Sequence, residues 1–208
     1  MKEYPHIDTI WKRDERGSIV FTDFSTPELA YLSDNNWVGT EKVDGTNIRV
    51  MWDGERIRYG GKTDNAQVPT FLLAKLDDMF HGKEQAFADK FNDVTEVCLY
   101  GEGYGAKIQK GGGNYNSSGV DFVLFDVKIG SWWLKRDGIE DVGAHFGLGV
   151  VPIIFSGSLW EASEYAKQGF HSQWGEFLAE GLILKPSTDL MTRNYGRVIT
   201  KIKHRDFR

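Results

Sequence analysis

The sequence predicts an α+β fold, with a mainly antiparallel sheet and helices packed on its outside. Two observations lead there: segments of alternating apolar and polar residues outnumber helix-period segments, and short turns join several of them as hairpins. A third observation bounds the size. The 208 residues suffice for one domain with a real core, and no internal repeat, long linker or low-complexity stretch divides them.

The elements follow in order. Asp14 to Gly17 (Asp-Glu-Arg-Gly) predicts a turn, and Ser25-Thr-Pro-Glu28 a helix start. Asn47 to Trp52 alternates as a strand, Asp53-Gly54 is a hairpin turn, and Arg56 to Tyr59 returns. Phe71, Leu72, Leu76, Met79, Phe80, Phe87 and Phe91 have helical spacing over 70–92, broken near Gly82. Thr95 to Tyr100 reads as a strand running into Gly101 to Gly105. A polar loop over 109–118 precedes a strand over 120–129, and Gly130-Ser131 turns into Trp132 to Leu134. Ser158-Leu-Trp-Glu161 is a capping box opening a helix to about Gln168. Glu180 to Lys185 and Arg197 to Lys203 are the last strands.

Composition removes some functions. No run of 18 apolar residues exists and the N-terminus lacks a signal-peptide core, so a cytoplasmic protein with no membrane partner is expected. The single cysteine, Cys98, cannot form an internal disulfide, which suits a reducing compartment. A net charge of −5 argues against a long duplex track, but basic residues cluster at Lys107 and Lys110 and again over 201–208. Such patches suit a few phosphates.

Five stretches carry chemistry, each beside a plainer alternative. Lys42-Val-Asp44-Gly45 puts an amine and a carboxylate two apart. Lys42 could be a nucleophile if deprotonated, or half of a surface ion pair. Glu102, flanked by Gly101 and Gly103, could accept hydrogen bonds from ribose hydroxyls, or sit solvated in a turn. Phe125, before Asp126, could stack on a purine, or pack in the core. Phe122, an odd number of residues away, faces oppositely on a strand. Glu180 and Lys185 bracket an apolar run and so mark strand mouths, where a carboxylate could hold a divalent metal. Lys201 and Lys203 share one strand face and repel unless an anion lies between them, although a lysine-rich solvent edge would look the same.

In their order, K-x-D-G, Gly-Glu-Gly, aromatic-Asp, E-G-x-x-x-K and K-x-K, these stretches resemble the motifs of the covalent nucleotidyltransferases. That superfamily comprises the ATP-dependent polynucleotide ligases and the mRNA capping enzymes, and the resemblance runs from about Trp37 to Phe207. The segments 41–47, 105–111 and 180–186 are most similar to the RNA ligases, particularly the phage nick-sealing branch. The fold implied is an antiparallel-sheet-rich nucleotidyltransferase (adenylation) domain with flanking helices.

The resemblance implies that Lys42 becomes adenylylated by ATP, with Mg²⁺ or Mn²⁺ as the metal. Glu102 would hold the ribose, Phe125 would stack on adenine, and Lys201 and Lys203 would contact phosphates. It adds Glu41, Asp44, Asn47, Glu180 and Lys185 to the nucleotide site, with Glu180 and Asp44 as metal candidates. Arg58 or Lys62 would meet the nucleic-acid 5′-phosphate, with Lys107 and Lys110 as further nucleic-acid contacts. The activity implied joins 5′-phosphate and 3′-hydroxyl ends of RNA, or of a nicked RNA duplex or RNA–DNA hybrid. Alternatives are an ATP-dependent DNA ligase, a GTP-using capping-type transferase and a non-catalytic nucleotide-binding module. The chain stops soon after Lys203, so a single nucleotidyltransferase domain over 1–208 is expected, with no appended OB-fold or other C-terminal domain. An accessory nucleic-acid-binding protein would then help grip the RNA. Capping enzymes need an extra domain, which counts against that alternative.

Overall fold

The computed structural model describes residues 3–92, 94, 96–192 and 196–208. The chain begins with β1 (Asp8–Thr9), β2 (Trp11–Arg13), β3 (Ile19–Phe24), α1 (Pro27–Tyr31) and β4 (Trp37–Glu41). Then come β5 (Thr46–Trp52), β6 (Ile57–Gly60), α2 (Thr70–Phe80), α3 (Glu84–Phe91), β7 (Val97–Gly105), α4 (Gly112–Tyr115) and β8 (Val120–Ile129). It continues with β9 (Trp132–Trp133), α5 (Arg136–Phe146), β10 (Gly149–Val150), β11 (Ile153–Gly157) and α6 (Leu159–Gln168). Last are β12 (Gly181–Pro186), β13 (Thr200–Lys203) and a 3₁₀ turn (His204–Phe207). The fold is α+β with mostly antiparallel sheets, as expected; β1 on β13 and β10 on β8 are the parallel pairs. The chain divides into two compact units.

The first unit is Asp44–Val151 with the N-terminal residues up to Pro5. Its sheet runs β10-β8-β7-β5-β6, with β9 on β8. Asp53 closes the β5–β6 hairpin by accepting the amides of Glu55 and Arg56. One face of the sheet carries Ile48, Val50 and Trp52 opposite Gly101, Leu99 and Val97. Leu72, Leu76 and Phe80 of α2, Phe87 of α3 and Phe146 of α5 share that core. Full burial of each such side chain contributes about 1.5–3 kcal/mol.

The strand predicted to give way near Gly101 instead continues to Gly105. A side chain at Gly101 would meet the Phe122 ring at 2.2 Å, so the glycine is what lets β7 lie flat on β8. Cross-strand packing overrides glycine's poor strand propensity here. The expected strand start at Thr95 lies outside the described residues. Helix α5 carries no local signal strong enough to predict it, and α4 forms within the expected loop.

The second unit is His6–Val43 with Pro152–Arg208. Its sheet runs β1-β13-β12-β4-β11, beside the β2–β3 hairpin. The capping box forms as read: the Ser158 hydroxyl accepts from the Glu161 amide, and the Glu161 carboxylate accepts from the Ser158 amide. Helix α6 then buries Leu159, Ala162 and Ala166 in one core with Trp37, Leu182, Leu184 and Ile202. The final strand is shorter than predicted, starting at Thr200, because Val198 donates its amide to Leu190 instead of to a sheet neighbour.

Candidate active site

In the second unit the pairing of β4, β12 and β13 decides where the charges go. Leu182 stands opposite Glu41 on one side and Ile202 on the other, and Ile183 stands between Thr40 and Lys201. Period-2 alternation then sends Leu182, Leu184 and Ile202 to the core and Lys201, Lys203 and Lys185 to the other face. Lys42 follows β4, and its amide donates to the Gly181 carbonyl at 2.8 Å. Gly181 must lack a side chain, since a Cβ there would fall 2.0 Å from the Ile202 carbonyl oxygen.

This backbone brings three charges together. The Lys42 Nζ lies 2.5 Å from Glu180 Oε2, and the Lys203 Nζ lies 2.6 Å from Glu180 Oε1. Each carboxylate oxygen thus takes one ammonium, while the Glu180 side chain is only 11% exposed. Burial pushes the Glu180 carboxyl up, but the two lysines outweigh it and hold it below the usual range. The partner of Lys42 in its ion pair is therefore Glu180. Lys185 continues the same face of β12, opposite Val38. Glu41 points into the core side, where its carboxylate accepts from the Ser172 hydroxyl at 2.5 Å and the Gln173 amide at 2.8 Å. Burial raises the Glu41 carboxyl above its usual range, and those two bonds offset only part of that. Nothing local in the sequence marks Ser172 or Gln173 as its partners.

In the first unit Asn47 and Glu102 are direct cross-strand partners on β5 and β7. Asn47 Oδ1 is buried with no hydrogen-bond partner among the described residues. A buried carbonyl oxygen without a donor costs about 1–3 kcal/mol, so this atom fits a bound donor such as a sugar hydroxyl or a base amine. Gly45 explains itself at the same place: a Cβ there would sit 2.3 Å from the Gly103 oxygen and 2.8 Å from Glu102 Cγ. The glycine after Asp44 thus lets this segment lie against the strand that presents Glu102. The Asp44 amide donates to the Tyr115 hydroxyl at 3.2 Å, a contact the sequence does not announce.

Phe125 sits on a β-bulge. Tyr100 pairs with Asp126 and Gly101 with Leu124, so Phe125 is the extra residue. The bulge resets the alternation, leaving Phe122 and Leu124 in the core. Phe125 is half-buried and meets the Tyr4 ring edge-on at 5.0 Å, and the Tyr4 hydroxyl donates to Asp126 at 2.5 Å. Arg58 is exposed and ion-paired with Asp53 of its own hairpin. Lys62, Lys107 and Lys110 are exposed loop residues, Lys107 in the left-handed region at φ 66°.

Among the described residues no cluster of three or more His, Cys, Asp and Glu is arranged to hold a metal. A cation here would depend on one carboxylate and on oxygens brought by a substrate, the mode in which Mg²⁺ is commonly held beside phosphates.

A model of the RNA ligase family matches residues 35–203, which takes in Lys42, Glu102, Phe125, Glu180 and Lys203. No curated protein matches the chain. Solved structures of Naegleria gruberi RNA ligase share the fold. One variant with AMP and Mn gives a TM-score of 0.66 at 17% identity, over 98% of this chain and 62% of that one. A variant with ATP and Mn gives 0.62 at 17%, over 100% and 64%. The protein with PPi gives 0.62 at 18%, over 100% and 63%. The chain thus spans less than two thirds of the length of these relatives.

Proposed function

The chain belongs to the RNA ligase family, and from that premise we propose that it is an ATP-dependent RNA ligase acting through a lysyl-AMP at Lys42. The observation that carries this reading is the Glu180 carboxylate bridging Lys42 and Lys203, at 2.5 and 2.6 Å. A lysine held beside a carboxylate and a second ammonium is oriented toward one point, where a phosphate can replace the carboxylate as the counter-charge. That a Naegleria gruberi RNA ligase variant was solved with ATP and Mn supports a nucleotide and a divalent metal as the ligands here.

The chemistry proceeds in three displacements. Lys42, having lost a proton, attacks the α-phosphorus of ATP through Nζ; the N–P bond forms and the bond to pyrophosphate breaks. An oxygen of the RNA 5′-phosphate then attacks the same phosphorus, the N–P bond breaks, and AMP caps the RNA end. A 3′-hydroxyl attacks the 5′-phosphorus, AMP leaves, and a phosphodiester remains. Lys201 and Lys203 offset charge on the phosphate oxygens. Asn47 and Glu102 hold the nucleoside, and Phe125 offers a ring to the base. Glu180, with Asp44 as the other candidate, would hold a divalent cation, which would supply charge neutralisation at the phosphates. Arg58, Lys62, Lys107 and Lys110 are exposed cations offered to RNA, as single ends, a nicked duplex or an RNA–DNA hybrid.

Incubation with α-labelled ATP and Mg²⁺ or Mn²⁺ followed by a denaturing gel tests the reading. Wild type retains label and Lys42→Ala does not. Label on Lys42→Ala, or labelling by GTP in place of ATP, defeats it.

A further inference from the structure

A groove of about 620 Å³ in the second unit lies between the β2–β3 hairpin and the end of the chain. Arg13, Arg16, Lys201, Lys203, Arg205 and Arg208 line it, with Asp206 as the one acidic side chain among the described lining residues. On a chain of net charge −5 this is a concentrated positive surface. Some of that charge is internally matched. Arg13 pairs with Asp206 at 2.5 Å, and Lys203 with Glu180. Arg16, Arg205 and Arg208 are exposed and have no acidic partner among the described residues.

Two rings complete the lining. Phe21 is 45% exposed, and its ring lies 5.2 Å from that of Phe207 at 31°. An exposed phenyl face among arginines is poorly explained by stability, because a polar residue would serve an edge strand better. Cations that follow a backbone, with a ring on which a base can lie, are the elements by which proteins hold unpaired nucleic acid. The volume falls in the range of about 300–1,000 Å³ that takes a ligand. The groove is also continuous with the candidate active site, since Lys203 both lines it and bonds Glu180, which bonds Lys42.

We infer that this groove binds an unpaired RNA strand, with phosphates on Arg16, Arg205 and Arg208 and a base on Phe21, and so delivers an RNA end to Lys42. The inference rests on the ligase reading and narrows it: the substrate has unpaired nucleotides beside the joining end. In duplex RNA the base faces stay stacked on one another, leaving Phe21 without a partner.

The test is fluorescence anisotropy with a short 5′-phosphorylated, 3′-fluorescein oligoribonucleotide, single-stranded or annealed as a blunt duplex, across a salt series and without ATP. The Arg16→Ala, Arg205→Ala double variant should weaken single-strand binding and flatten the slope of log K against log salt by about 1.4, or about 0.7 for each phosphate contact. Phe21→Ala should weaken single-strand binding about tenfold, with little effect on the duplex. Phe21→Leu, which keeps the apolar bulk, should do the same. Labelling of Lys42 by ATP should be unchanged in all three. Unaltered RNA affinity in the variants, or equal losses on duplex and single strand for Phe21→Ala, overturns the inference. So does a rise in the ATP KM with RNA affinity intact, which assigns the groove to the triphosphate. A wild type that binds RNA but never labels overturns the ligase reading alone.

Discussion

Asn47 holds a carbonyl oxygen in a buried place with no donor among the described residues, one strand away from Glu102. In the free protein that oxygen is a cost, and with a nucleotide bound it becomes a contact, so stability and binding should respond oppositely to its removal. Asn47→Leu keeps the branched shape and deletes the orphan. The melting temperature should rise, with the free protein about 1 kcal/mol more stable, while the KM for ATP in the labelling reaction rises about fivefold. A variant that is less stable and binds ATP as before would show that Asn47 is only a packing residue. Residue types were legible in the sequence for Lys42 and Glu180, and residue types with strand positions for Lys201 and Lys203. Their approach was not: Lys42 and Glu180 are 138 positions apart, and two intervening strand registers set their distance. The same limit hid Ser172 and Gln173, which hold Glu41, and Tyr115, which meets Asp44.

Elements specified by neighbouring residues could be read directly: the Asp53-Gly54 hairpin, the break at Gly82 and the Ser158 capping box each close within four residues. Elements specified across strands could not. The bulge at Phe125 exists because β8 must pass Asp126 to one face and Leu124 to the core, and the glycine run of β7 is a strand because Phe122 covers it. Gly45 belongs to this second kind, which makes it testable as packing. Its Cβ would meet the Gly103 backbone, which cannot swing aside as a side chain can. Gly45→Ala should therefore cost about 1–3 kcal/mol in urea unfolding and weaken ATP labelling by displacing Glu102. Gly113→Ala, with nothing within 4 Å of the new carbon, should stay within about 0.5 kcal/mol of wild type. If both cost the same, the close approach of the first glycine has no energetic meaning.

For the whole molecule, two carboxylates in the second unit set pH dependences of opposite sign. Glu180 has its folded value depressed by Lys42 and Lys203, so its contribution is complete above the ordinary value of about 4.5 and is lost as pH falls through the lower folded value. Glu41 has its folded value raised by burial, so the folded state gives up a proton late. Its contribution falls as pH rises from about 4.5 through the higher folded value. Replacing each carboxylate with its amide separates the two. Glu180→Gln leaves two ammoniums without their counter-charge and should destabilise by about 1–3 kcal/mol at neutral pH, a deficit that closes only below about 4.5. Glu41→Gln keeps an acceptor for Ser172 or Gln173 and cannot ionise, so it should gain on wild type as pH rises above about 4.5 and hold that gain at neutrality. Urea unfolding at pH 4 and pH 7 measures both. A Glu180→Gln deficit independent of pH would mean that the carboxylate acts through shape instead of charge. A Glu41→Gln loss that grows with pH would mean that Ser172 and Gln173 stabilise the ionised form by more than its burial costs.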